Sequence, residues 1–184
     1  MDKKELIIST ARDLFTKYGY KKVSMDEIAL EANVTKKTIY SYFTDKDTLF
    51  MYFINEEIEN VKNEFEKIEK KNIPFVEKVS TSIYNMLLFR KNSILISNIS
   101  KEAKNNIQQS INFLKVYDDS ILNYIEDKIN NEIKLGHIKK CDAHLTAFII
   151  YKMYISLLFE YDKDIDEKKF TKEVTSILKD GLFN

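Results

Sequence analysis

One proline and three glycines are all that interrupt this chain of 184 residues. A strand-rich fold needs turns at intervals of about 8–12 residues, and turns draw heavily on those two residue types. Their scarcity confines the chain to long helices with few breaks. The apolar residues agree, because they recur with helical spacing along nearly the whole sequence. Ile7, Ala11, Leu14, Phe15 and Tyr18 form the first such stripe, and Gly19 follows where a left-handed C′ residue is expected. The expected fold is all-α, with about nine helices.

Capping residues set the helix limits. Asp2 with Glu5 suits the start of the first helix. Ser24 and Glu27 have capping-box spacing, and the short helix they open runs to about Ala32 with Ile28, Ala29 and Ala32 facing inward. Asn33-Val34-Thr35 makes a tight turn, and Thr35 caps a third helix to about Phe43. Thr44 with Asp47 caps a fourth, whose stripe from Leu49 to Ile68 is long enough to join two domains rigidly. Pro74 belongs in the first turn of a fifth helix to about Arg90. A sixth runs from Ser93 to about Asn106, and a seventh from Ile111 to Leu135, ended by Gly136. Asp142 caps an eighth to about Tyr161, and Asp164 or Asp166 starts a ninth to about Leu182. The expected domains are residues 1–47, with a helix-turn-helix at about 24–43, and residues 48–184.

Charge and cysteine content narrow the function classes. Lys and Arg number 29, as do Asp and Glu, so the formal net charge is zero. Nucleic-acid binders are usually basic, so a DNA-binding surface here must be local. Cys141 is the only cysteine; no intramolecular disulfide forms, which suits a reducing interior. The first residues lack the apolar region of a signal peptide. Lys152 breaks the best apolar run, leaving nothing long enough to span a membrane. The expectation is a cytoplasmic protein with no membrane partner.

The segment from Ser24 to Lys46 carries the chemistry. Two short helices joined by a three-residue turn make a helix-turn-helix when the second presents polar side chains outward. On a helical wheel Ile39 and Phe43 share one side, and Lys37 and Ser41 lie opposite. Thr38, Tyr40 and Tyr42 flank that outer face, and Lys36 stands in the first turn. The exposed surface is therefore lysine, hydroxyl and tyrosine without a carboxylate, in a chain otherwise crowded with acids. Such a window approaches phosphates without repulsion. Lysines neutralise phosphates or donate to guanine acceptors, and hydroxyls fix register on phosphate oxygens. The starts of the second and fourth helices, with Ser24 and Lys46, are further phosphate candidates. The bland alternative is a solvated face, with Tyr40, Tyr42 and Phe43 packing as core; for Phe43 the core reading is preferred.

Thr10-Ala11-Arg12-Asp13-Leu14-Phe15, Gly19, Ser24, Ile28-Ala29, Ala32, Val34-Thr35-Lys36, Thr38-Ile39-Tyr40, Phe43, Lys46 and Leu49 together resemble the DNA-binding signature of the TetR family. The likeness covers about fifty residues at the N-terminus. It implies a homodimeric repressor whose recognition helices enter the major groove of a double-stranded DNA operator with palindromic half-sites, and which a small-molecule inducer releases. Carried over position by position, it implies phosphate contacts for Ser24, Tyr42 and Lys46. It lines the groove with Thr35, Lys36, Lys37, Thr38 and Tyr40. Asn33 stands where the family's turn usually has glycine, and asparagine tolerates the left-handed backbone such a turn needs. Lys37 replaces a common glycine at the head of the recognition helix, and Ser24 a common threonine.

Beyond about residue 51 no signature is legible. The eighth helix, from Leu145 to Phe159, is apolar nearly all round, so it must be covered on more than one side. The ninth carries Phe170, Val174, Ile177, Leu178 and Leu182 as a stripe. Two such helices from each of two chains would form an isologous four-helix interface, which the resemblance also implies. The alternative is that both close one monomer's core. A ligand pocket is expected among helices five to eight, with Tyr84, Leu88, Phe113, Tyr117, Tyr124, Phe148, Tyr151 and Tyr154 as candidates. Tyrosines offer a ring and one hydroxyl, which suits aromatic or amphipathic ligands. Lys152 and Glu102 are candidate inward charges. His137, Cys141, Asp142 and His144 cluster near one helix start but fit no strong zinc spacing, so no metal and no cofactor are expected. Two other functions compete. A DNA-binding factor of the same fold without a small-molecule switch, architectural or in cell division, would have a closed C-terminal core. A small all-helical enzyme would need a nucleophile–base set, and neither a Gly-rich phosphate loop nor HExxH is present.

Overall fold

The computed structural model describes residues 2–159 and 167–182. All nine elements among them are helices: α1 (Lys3–Tyr18), α2 (Met25–Glu31), α3 (Lys36–Tyr42), α4 (Lys46–Glu69), α5 (Phe75–Asn92), α6 (Ile94–Lys104), α7 (Gln108–Lys134), α8 (Ala143–Phe159) and α9 (Glu167–Leu182). The expected caps Asp164 and Asp166 lie outside the described residues, as do the side chains of Phe170, Leu178 and Leu182.

Most helix limits follow the capping chemistry. The Ser24 hydroxyl accepts the Glu27 N–H at 3.2 Å, and the Glu27 carboxylate accepts the Ser24 N–H at 2.8 Å, closing the expected capping box. Thr35 accepts the Thr38 N–H at 3.1 Å, and Asp142 accepts the Leu145 N–H at 3.0 Å. At α4 the cap differs: Asp45, not Thr44, accepts the Thr48 N–H, at 2.7 Å. A carboxylate there outcompetes the neighbouring hydroxyl because it also meets the positive end of the helix dipole. These bonds hold the Asp45 carboxyl below its ordinary pKa. α6 ends sooner than Asn106, which takes φ +58 and reverses the chain, so α7 starts at Gln108 rather than Ile111.

Gly19 has φ +82 and ψ 169. That is not the left-handed helical region expected of a C′ glycine but an extended mirror-image conformation, which is even more restricted to glycine.

The chain forms two compact units, residues 1–58 with 92–117, and residues 59–91 with 118–184. The first is therefore more than the three N-terminal helices. Its centre is aromatic: Phe50 meets Phe15 edge-on at 4.9 Å and Phe113 at 4.8 Å between ring centres, and Tyr20 meets Phe113 at 5.0 Å. α6 belongs here because the Asn98 carboxamide donates to the Thr16 carbonyl at the end of α1, at 2.9 Å. The second unit packs Phe65, Ile83, Ile125, Ile129, Ile150 and Tyr154 from α4, α5, α7 and α8. Within it the Arg90 guanidinium meets the Asp118 carboxylate, and the Tyr151 hydroxyl donates to the same carboxylate at 2.8 Å.

Candidate functional site

α3 turns one face inward and the rest outward. Ile39 is fully buried and Phe43, just past the helix, is 5 % exposed, its ring facing Tyr52 at 6.3 Å. Lys36, Lys37, Tyr40, Ser41 and Tyr42 are exposed, and Thr38 is half-buried. Tyr40 and Tyr42 show 48 % and 41 % of their surface, too much for core aromatics. α2 supports this face through Met25, Ile28 and Ala29, all buried. Asn33 has φ +50, the left-handed conformation that the turn between α2 and α3 demands.

Five of the eight candidate contact residues have side-chain partners within the protein. Lys36 pairs with Asp26 of α2 at 2.6 Å, both side chains open to solvent. Asp26 thus brings a carboxylate to the margin of a surface whose own sequence has none, and raises the Lys36 pKa. Lys46 is drawn inward. Its ammonium donates to the Tyr20 and Val23 carbonyls at 3.1 and 2.9 Å and lies 4.1 Å from the Tyr20 ring centre. Burial lowers its pKa. The Ser24 hydroxyl donates to Glu27 at 2.8 Å. Thr35 shares a hydroxyl contact with Thr38 at 2.8 Å. Lys37, Tyr40 and Tyr42 carry the outermost donors of the face.

Glu102 is a residue whose role sequence spacing does not reveal. From α6 its carboxylate accepts the Lys21 N–H at 3.0 Å and the Ser110 hydroxyl. It thereby ties the segment between α1 and α2 to α6 and α7 inside the first unit. A hydrogen bond from the Tyr20 hydroxyl to the Asp47 carboxylate ties the same segment to the start of α4.

Residues 7–52 of this chain match the family described as bacterial regulatory proteins, tetR family. An HTH-type transcriptional regulator of Bacillus subtilis, YhgD, is 37% identical over 164 residues, 89% of this chain and 86% of the relative. The chain belongs to the TetR family. It is a transcriptional regulator with a DNA-binding helix-turn-helix, formed by α2 and α3. A TetR-family structure from Mesorhizobium loti has the same fold, with a TM-score of 0.72 at 18% identity, over 99% of this chain and 97% of that one. So does AibR, solved in complex with isovaleryl coenzyme A and operator DNA, with a TM-score of 0.57 at 19% identity over 96% and 97% of the two chains.

In the second unit of this TetR-family chain a cleft of about 470 Å³ opens between α5 and α7. Its walls include Phe65, Phe75, Ile83, Ile125, Ile129 and Ile150, and its polar margin includes Lys78, Ser82, Lys128, Glu132 and His137. None of the eight residues expected to bind ligand lines it. Tyr84, Tyr151 and Tyr154 are buried in packing, Leu88 is half-buried, and Phe113 and Tyr117 belong to the first unit. Tyr124 packs edge-on against Phe65, one of the cleft's walls, at 5.2 Å. Phe148 faces outward with 44 % of its surface exposed. Lys152 is also exposed, so neither candidate inward charge reaches this cleft.

α8 is apolar on two faces for two reasons. Ala143, Ala147, Ile150, Tyr151 and Tyr154 fill the core, while Leu145, Phe148 and Ile149 are 53 %, 44 % and 56 % exposed. On α9, Val174 is buried and Ile177 is 64 % exposed. His137 and His144 bind Glu132 and Glu126, each at 2.7 Å. Among the described residues no group of three or more His, Cys, Asp or Glu side chains is placed to hold a metal ion, and no helix is long and apolar enough to cross a membrane.

Proposed function

We propose that this protein is a cytoplasmic, ligand-responsive repressor that binds a palindromic operator as a homodimer. The observation that carries the DNA part is the outer face of α3. Lys37, Tyr40 and Tyr42 stand there on a helix fixed from behind by Ile39 and Phe43. Lys36, Lys37 and Tyr40 read base edges, while Ser24, Thr35, Thr38 and Tyr42 position the helix on the backbone. Lys36 exchanges Asp26 for DNA on docking. Lys46 acts mainly by holding the loop before α2, with one N–H left over for a phosphate.

The uncovered apolar residues on α8 and α9 support a homodimer through these last two helices. Leu145, Phe148 and Ile149 form a patch that a soluble monomer would not leave bare, and a second copy of the same patch covers it. The cleft supports a small-molecule switch over the fold's use as a DNA-binding factor without one, whose core would be closed. AibR, whose structure holds both isovaleryl coenzyme A and operator DNA, shows that this fold accommodates such a pair. The contacts of both histidines with glutamates, Glu132 and Glu126, rather than with a nucleophile, support the regulator reading over the enzyme one.

The test is to sequence genomic fragments retained by the purified protein. The proposal expects one enriched palindrome, bound by an even number of chains, with affinity falling steeply as salt rises. Retention of DNA without any shared sequence would overturn it.

A further inference from the structure

Ser82 lies on α5 with 3 % of its surface exposed and lines the cleft. Its hydroxyl makes no hydrogen bond among the described residues. Buried helical serines usually bond back to a carbonyl one turn earlier. Ser80 on the same helix does so, donating to the Val76 carbonyl at 3.0 Å. Ser82 instead leaves its hydroxyl without a protein partner where it lines the cleft, free to donate to whatever occupies it.

Lys78 is one turn before Ser82, so both stand on the same face of α5. Both line the cleft. The Lys78 ammonium donates to the Glu69 carbonyl at 2.8 Å, but no carboxylate among the described residues pairs with it. The other charged groups on the margin have partners: Lys128 pairs with Glu69 at 2.7 Å, and Glu132 meets the His137 Nδ1 atom at 2.7 Å. The cleft therefore has one lysine that no described carboxylate pairs with, one hydroxyl without a protein partner beside it, and apolar walls beyond.

We propose that the cleft binds an amphipathic monocarboxylic acid, with its carboxylate on Lys78 and Ser82 and its apolar body against Phe65, Ile83, Ile125, Ile129 and Ile150. A carboxylate accepts from both donors at once. A multiply charged head such as a phosphate or a coenzyme A is disfavoured, because Glu69 and Glu132 stand on the same margin. This assignment deepens the ligand-responsive reading and rests on it for its biological meaning, but not for its chemistry.

The experiment is calorimetric titration of the full-length protein with decanoate, decanol and decyltrimethylammonium, each below its micelle concentration. Decanoate should bind most tightly. Lys78→Met should weaken decanoate about tenfold or more, and Ser82→Ala about fivefold, while decanol shifts less than about twofold with either variant. Decanol or the cation binding as well as decanoate to the unaltered protein would overturn the assignment, as would a Lys78→Met variant that binds decanoate normally. Operator affinity measured alongside separates the two levels. Decanoate bound through Lys78 with operator affinity unchanged supports the site and removes the switch. Operator release by the neutral or cationic compound with decanoate inert supports the switch and removes this site's assignment.

Discussion

The Lys46 ammonium donates to the Val23 backbone carbonyl at 2.9 Å. With its second bond to the Tyr20 carbonyl and its place over the Tyr20 ring, one side chain closes the segment between α1 and α2 onto the start of α4. Lys46→Met keeps the length of the side chain and removes both bonds. It should lower the unfolding free energy by about 1–2 kcal/mol, the range for part-buried hydrogen bonds to a charged group with some cation–π loss. Urea unfolding measures it, and an unchanged midpoint would show that Lys46 is not a structural clamp.

Gly19 tests the same segment from the other side. A Cβ there would sit 2.5 Å from the Glu102 Oε1 atom, on a backbone at φ +82. Gly19→Ala should cost about 1–3 kcal/mol from backbone strain alone. Combining it with Glu102→Ala should remove the collision but not the strain, so the double variant should stay well below Glu102→Ala in stability. Equal midpoints for those two variants would refute the strained backbone.

Arg90 and Asp118 form the most enclosed ion pair among the described residues of the second unit, with side chains 10% and 24% exposed. Arg90→Met leaves the Asp118 carboxylate with only the Tyr151 hydroxyl among its described bonds. The expected loss is about 3 kcal/mol, because an unpaired part-buried charge is costlier than no pair at all. Arg90→Met with Asp118→Asn should recover part of it. A double variant no more stable than the single would contradict the charge argument.

Glu57 is 8 % exposed, and burial raises its pKa above the ordinary 4.5 despite the Ser93 hydroxyl and Arg12 nearby. A raised carboxyl pKa favours folding below the unfolded value, and that advantage is lost as pH rises through the folded value. Glu57→Gln should therefore raise the urea midpoint at about pH 7 and leave it nearly unchanged at about pH 4. The opposite order would mean that the ion pair with Arg12 outweighs desolvation.

The head of this chain was legible because its determinants are local. Ser24 and Glu27 are three positions apart, Ile39 and Phe43 four, and Asn33 announces its own backbone conformation. Local rules fail where two capping residues are adjacent, as at Thr44 and Asp45, since spacing alone does not rank a hydroxyl against a carboxylate. They fail again for Glu102, whose bond to Lys21 spans 81 positions and leaves no periodic trace. That the expected ligand residues do not line the cleft of the second unit has a related reason. Aromatic residues at helical spacing mark packing, and Tyr84, Tyr151 and Tyr154 are used for that. The polar residues that do line the cleft, Lys78 and Ser82, stand four apart beside Val79 and Ile83, on a helix face otherwise apolar. Phe148 shows the converse, since an apolar residue on a nearly all-apolar helix does not declare which side faces the core.

The claim that the outer face of α3 reads DNA is tested most directly by operator affinity of Lys37→Ala, measured by fluorescence anisotropy alongside the unaltered protein. Lys37 is exposed and has no partner among the described residues, so its removal should leave the fold and the oligomeric state intact. Loss of one groove contact should weaken operator binding by about 1–3 kcal/mol, roughly five- to 150-fold. Operator affinity equal to that of the unaltered protein would contradict the assignment of this face.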